Sequence, residues 1–131
     1  MNDGLLLVGR IAMAVIFIIA GFGKLMAPAA TQTLMAHYGL PMPMVAYVAT
    51  VAVELIGGLL LFFGLWTRPV AIVLGIWCIA TALVAHTAFA DPGQRNNFLK
   101  NVAMAGGFLF VYVQGAGMHS LDRLRTKRAS G

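Results

Sequence analysis

The sequence predicts an all-α integral membrane protein, a bundle of four transmembrane helices with a short interfacial helix between spans one and two. Three observations carry that expectation. Hydrophobic residues make up 60% of the chain and charged residues only 10%, where a soluble domain would carry about 25% charged residues. The apolar residues gather into four runs of bilayer length separated by turn signals. In lipid, a helix satisfies its backbone groups internally, so runs of this length are read as spans.

The first span covers residues 5–26, interrupted by Arg10 and closed by Lys24. At helical spacing Ala14, Phe17, Gly21 and Lys24 all fall within about 40° of Arg10, so one stripe carries both cations. No small-residue cleavage pattern follows this run, which is therefore expected to stay in the mature chain. Residues 28–41, bracketed by Pro28 and Pro41, are too short and too polar to span and read as an interfacial helix or re-entrant turn.

The second span covers residues 44–65 with Glu54 near its middle. A carboxylic acid at that depth costs about 2 to 4 kcal/mol unless it is protonated or paired, so it marks a functional site by default. Thr50, Gly57 and Gly58 share its face, which lets another helix approach closely. Arg10 is the preferred partner, because it lies on the correct stripe and its long side chain can bridge about 9 Å of rise. Lys24 is farther away and reads as snorkelling to the headgroups.

Thr67, Arg68 and Pro69 turn the chain into the third span, residues 69–89, whose polar member His86 shares a face with Ala82, Ile79 and Gly75. A polar loop, residues 90–97, precedes the fourth span, residues 98–119. There Lys100, Gly107 and Gln114 fall on one stripe, with Asn101 beside Lys100. A single buried polar column, running from Arg10 through Glu54 to Lys24, His86 and Lys100, is the simplest geometry. Trp66, Trp77 and Tyr47 read as interfacial anchors or packing residues, and the lone Cys78 as a small packing residue. Residues 1–121 form one domain and 122–131 a basic tail.

The formal charge of +5 does not point to nucleic acid, because four of the nine basic residues crowd into Arg123–Arg128 beside a span. That is a topology signal. Four spans put both termini on one side together with Arg68, and the excess of cations there places both termini in the cytoplasm.

In order along the chain, RIAMAVIFIIAGFGK from Arg10, GLP at Gly39–Pro41, ELIGGLLLFFGLWTR from Glu54, His86, and NNFLKNVAMAGG from Asn96 resemble the DoxX family of small four-span bacterial membrane proteins. The resemblance covers residues 5–121. It implies a multi-pass protein of the bacterial plasma membrane, a membrane oxidoreductase or the small membrane subunit of one. It also implies a link to quinone or catechol stress, and to soluble thiol and superoxide defence enzymes as redox partners.

The residues narrow the chemistry further. A haem wants two axial ligands at similar depth, yet His86 and His119 lie at opposite ends of the bundle. No Gly-rich phosphate loop is present for a nucleotide, and one cysteine excludes a paired-thiol relay. What remains is a lipid-soluble carrier such as a quinone, which needs an apolar slot and a few donors or acids. Glu54 and His86 are the candidate catalytic groups; Arg10, Lys24, Lys100 and Asn101 are the candidate substrate-binding groups. Two other classes stay open. One is a non-catalytic scaffold that recruits a partner; the other is a small-molecule carrier, which would lean on a homo-oligomer.

Overall fold

The computed structural model describes residues 2–130 and is helical throughout. In chain order the helices are α1 (Asp3–Met26), α2 (Pro28–His37), α3 (Pro43–Val51), α4 (Gly57–Phe63), α5 (Thr67–Ala85), α6 (Pro92–Gln114) and α7 (Leu121–Ala129). A π-helical turn, Ala52–Ile56, joins α3 to α4, so the three form one continuous rod of 21 residues.

Among the described residues three helices are long and apolar enough to cross a membrane: α1 with a mean hydropathy of 2.5, the Pro43–Phe63 rod with 2.1, and α5 with 2.0. The fourth expected span is not among them. At 23 residues α6 has the length, but Gln94, Arg95, Asn96, Asn97, Lys100 and Asn101 crowd its first turns and dilute its apolar content.

Helix α6 also begins earlier than the expected residue 98. The Asp91 side chain accepts a hydrogen bond from Gly93 N at 2.8 Å, and Pro92 occupies the first helical position. That is a cap followed by the residue best suited to open a helix, so the polar stretch read as loop is the first turns of α6. Helix α6 ends at Gln114 rather than residue 119, because Gly115 takes φ +77° and turns the chain back. The supposed tail is itself mostly helix, with the Ser120 hydroxyl accepting from Arg123 N as its cap.

Helix α1 buries Arg10, Ala14, Phe17 and Gly21, the stripe expected from helical spacing. It packs antiparallel on the rod, and two glycines set the register. A Cβ on Gly21 would lie 2.6 Å from Leu55 N, and one on Gly58 would lie 3.0 Å from Ile18 N. Only glycine permits backbones this close. The same register carries Arg10, eleven residues before Gly21, to the turn between α4 and α5.

Phe17 and Ala14 of α1, Leu61 of α4, Leu74 and Cys78 of α5 and Phe108 of α6 form the core. Cys78 is fully buried there, as a packing residue would be. Ile79, placed on the inner face by spacing, is instead exposed, and the α5 face that packs inward runs through Leu74, Cys78 and Ala82. On α6 the expected stripe holds at Lys100, on the cavity wall, and at Gly107, which abuts Met13 of α1, but fails at Gln114, which is exposed; Phe108 is the buried residue, its ring 5.6 Å from that of Phe17. A 20-degree drift per heptad is enough to move a near-heptad stripe off the contact line of a straight helix.

Candidate functional site

Glu54 sits in the π-helical turn and is 7% exposed. Such turns carry an extra residue, shift the side-chain register locally, and recur at functional sites. One carboxylate oxygen, Oε2, accepts from Lys24 Nζ at 2.6 Å; the other, Oε1, accepts from the Trp77 indole at 3.4 Å. The partner of Glu54 is therefore Lys24, and the expected pairing with Arg10 is overturned. The glycine-set register is the reason: it brings the last turn of α1, where Lys24 lies, alongside the π turn. Arg10 is 14 residues, about 21 Å along α1, from Lys24. Trp77 packs against the core, one of its two expected roles, and also donates its indole N–H to the buried acid.

A cavity of about 440 Å³ opens beside this pair. Ile16, Phe17 and Ala20 of α1 wall one side; Asn97, Lys100, Asn101 and Met104 of α6 wall the other. Glu54, Trp77, Thr81, His86 and Ala103 complete it. The structure thus brings Glu54, His86, Lys100 and Asn101 to one cavity, with Lys24 behind Glu54.

Each polar group has a defined state of occupation. His86 lies just past the end of α5, its Nδ1 2.7 Å from Gln94 Oε1. With that oxygen as acceptor, Nδ1 carries the proton and Nε2 of the neutral ring is left to accept. Asn101 donates to Asn97 O at 3.0 Å, which leaves its own side-chain oxygen without a donor among the described residues. Lys100 has no ion pair or hydrogen bond there. The cavity therefore offers an unpaired cation, a free amide oxygen and an imidazole acceptor above an acid already held by Lys24. Set between apolar α1 residues and a polar α6 face and open on one side, it resembles a small-molecule site, mostly apolar with a few convergent polar groups.

Arg10 does not join this site, so the single polar column divides in two. Its guanidinium binds the carbonyls of Ala116, through Nη1, and of His119, through Nη2 at 2.7 Å. Around it the end of the bundle is knitted together. Asp3 Oδ1 accepts from Met118 N at 2.8 Å, and the Asp122 carboxylate accepts from Trp66 N and Thr67 N at 2.7 and 2.8 Å. Trp66 is held at φ +50°, a conformation costly for a bulky residue, between that carboxylate and the Arg125 guanidinium 5.6 Å from its ring.

Trp77, Thr81, Gln94 and Asn97 were missed by the reading of the sequence, as was Asp122. For the α6 residues a signal existed, since Gln94, Asn97, Asn101 and Met104 follow one another at helical three- and four-residue spacing once the helix is started at Pro92. Asp122 could have been found from Ser120, which precedes it as a helix cap.

The fold and the site define a multi-pass helical membrane protein with a partly buried ion pair at the edge of a small, mostly apolar cavity. The chain belongs to the DoxX family, whose family model matches residues 5–87. It is 41% identical to inner membrane protein YphA of Escherichia coli, over 91% of this chain and 89% of YphA. It is 38% identical to inner membrane protein YqjF of the same organism, over 98% of this chain and 97% of YqjF. No solved structure matches the chain.

Proposed function

We propose that this DoxX-family protein crosses the bacterial inner membrane four times and binds a quinone-class aromatic headgroup in the cavity beside Glu54, as the membrane subunit of a redox system. The observation that carries the reading is the convergence of Glu54, His86, Lys100 and Asn101 on one cavity with apolar residues of α1 opposite. A quinone presents two carbonyl oxygens to donors and a ring to apolar walls. Lys100 suits a carbonyl as donor; the indole and alkyl groups suit the ring. Reduction of a quinone to its quinol consumes two electrons and two protons. A soluble redox partner supplies the two electrons and bulk water the two protons, which His86, taking up a proton at Nε2 and releasing it, and Glu54 lie where they can relay to the headgroup.

Four crossings are supported by where α6 ends. Its exit segment meets the start of α1 through Asp3 and the turn before α5 through Asp122, so α6 runs back along the length that α5 covers. Asn97, Lys100 and Asn101 of α6 then line the cavity. With Arg68, Arg123, Arg125, Lys127 and Arg128 at the shared end, that end faces the cytoplasm. A cysteine placed at Arg95 is expected to react with a membrane-impermeant thiol reagent in intact cells, and one at Thr126 only after lysis. The opposite pattern would reverse the orientation.

The ligand reading is tested by the shift in melting temperature that a short-chain ubiquinone analogue produces in the detergent-purified protein. Wild type is expected to be stabilised by several degrees, and His86→Ala and Lys100→Ala to lose most of that shift. Equal shifts in all three proteins, or none in wild type, would leave a non-catalytic scaffold as the better account.

A further inference from the structure

We propose that the end of the bundle where the chain begins and finishes carries a second binding site, for the phosphodiester headgroup of an anionic phospholipid, held by Arg68 of α5 and Arg123 of α7. A cavity of about 480 Å³ lies there, walled by Arg68 and Pro69 at the start of α5, Gln114 and Gly115 at the end of α6, and Arg123 and Thr126 of α7. It adjoins the turn between α4 and α5, at the ends of two of the helices long and apolar enough to cross a membrane. That depth is where lipid phosphates lie.

The charge of this cavity is not balanced from within. Asp122 is its one acidic lining residue, and both its carboxylate oxygens are committed to the backbone of Trp66 and Thr67. Arg68 reaches only the Val113 carbonyl, at 3.3 Å, and the Arg123 side chain has no acceptor among the described residues. Thr67 also lines the cavity; it is 1% exposed, and its hydroxyl oxygen is buried with no partner among the described residues. A phosphodiester carries one negative charge on two oxygens, which matches the planar fork of a guanidinium.

The surroundings select a lipid over a soluble anion. Trp66 of the lining is exposed, as are Met118, Leu121 and Leu124 in the chain segments that supply Gly117, Ser120 and Arg123 to the cavity, and acyl chains and glycerol would cover them. Bound lipid would fix α7 against the membrane surface, in line with its four cations at positions 123, 125, 127 and 128.

The test is a native mass spectrometry titration of the full-length protein with dioleoylphosphatidylglycerol, with dioleoylphosphatidylcholine and with inorganic phosphate. Phosphatidylglycerol is expected to bind in preference to phosphatidylcholine, with inorganic phosphate failing to compete. Arg68→Gln and Arg123→Gln are each expected to weaken phosphatidylglycerol binding about fivefold. Lys127→Gln removes the same charge from the same helix but lies outside the cavity, and is expected to leave binding unchanged. An equal loss in Lys127→Gln would reduce the effect to diffuse surface charge and overturn the site. So would equal binding of the two lipids, and competition by inorganic phosphate would make it a soluble-anion site instead. Arg68 and Arg123 lie on different helices, so misfolding of one variant, read from its melting temperature in phosphatidylcholine nanodiscs, leaves the other to decide.

Discussion

Lys24→Met is expected to destabilise the bundle by about 2 to 4 kcal/mol, because it leaves the Glu54 carboxylate, nearly buried in the protein, with only the distant Trp77 indole. Glu54→Leu is expected to cost less. The Lys24 side chain is 27% exposed against 9% for Glu54, so the freed ammonium can turn towards the headgroups. The double variant Lys24→Met/Glu54→Leu is expected to recover at least half of the summed loss, since a matched apolar pair replaces two charges that each needed the other. Combining Glu54→Leu with Arg10→Met is expected to be additive, as these groups serve separate clusters. Unfolding of the purified proteins in mixed micelles, titrated with a denaturing detergent, gives the free energies of both cycles. Additivity in the Lys24 and Glu54 pair would remove the ion pair as a stabilising element.

Arg10→Ala is expected to cost about 3 to 5 kcal/mol, with the damage concentrated at the end of the chain. The guanidinium is 4% exposed and donates to two carbonyls of the segment that follows α6. Without it the Ala116 and His119 carbonyls lose a charged donor, and the Gly115 turn loses what holds it across the bundle. Hydrogen exchange of residues 115–123 should speed up and trypsin should cut after Arg123 sooner, while exchange in α3 stays near wild type. Arg10→Lys is expected to restore less than half, because one ammonium cannot reproduce a fork that reaches two carbonyls. Unchanged exchange at residues 115–123 in Arg10→Ala would show that the other contacts, Asp3 to Met118 and Asp122 to Trp66, suffice to hold the segment.

Much of this was legible in the residues because helical periodicity is a local property. Glu54 is marked as a candidate by its depth in an apolar run, and the stripe of Arg10, Ala14, Phe17 and Gly21 by spacing alone. Neither needs knowledge of a neighbour. The choice between Arg10 and Lys24 was different. It depends on how far α1 slides along the rod, and a difference of a few residues moves one cation out of reach and the other in. A plain 100° rotation per residue also hides the π turn, which shifts the residues beside Glu54.

What the sequence by itself determined, then, is a helical membrane protein of the DoxX family with an acid buried in its second span and basic residues massed near its end. Tertiary structure alone decided the partners. The contact of Gly21 on the Leu55 backbone and of Gly58 on Ile18 is a short-range steric fit between distant segments, and it sets the register that delivers Lys24 to Glu54 and Arg10 to the closing turn. The return of residues 115–122 across the bundle is likewise a matter of long-range hydrogen bonds, made by Asp3, Arg10 and Asp122 to backbone groups. Backbone donors and acceptors are the same at every position, so no residue pattern along the chain announces which of them a side chain will find.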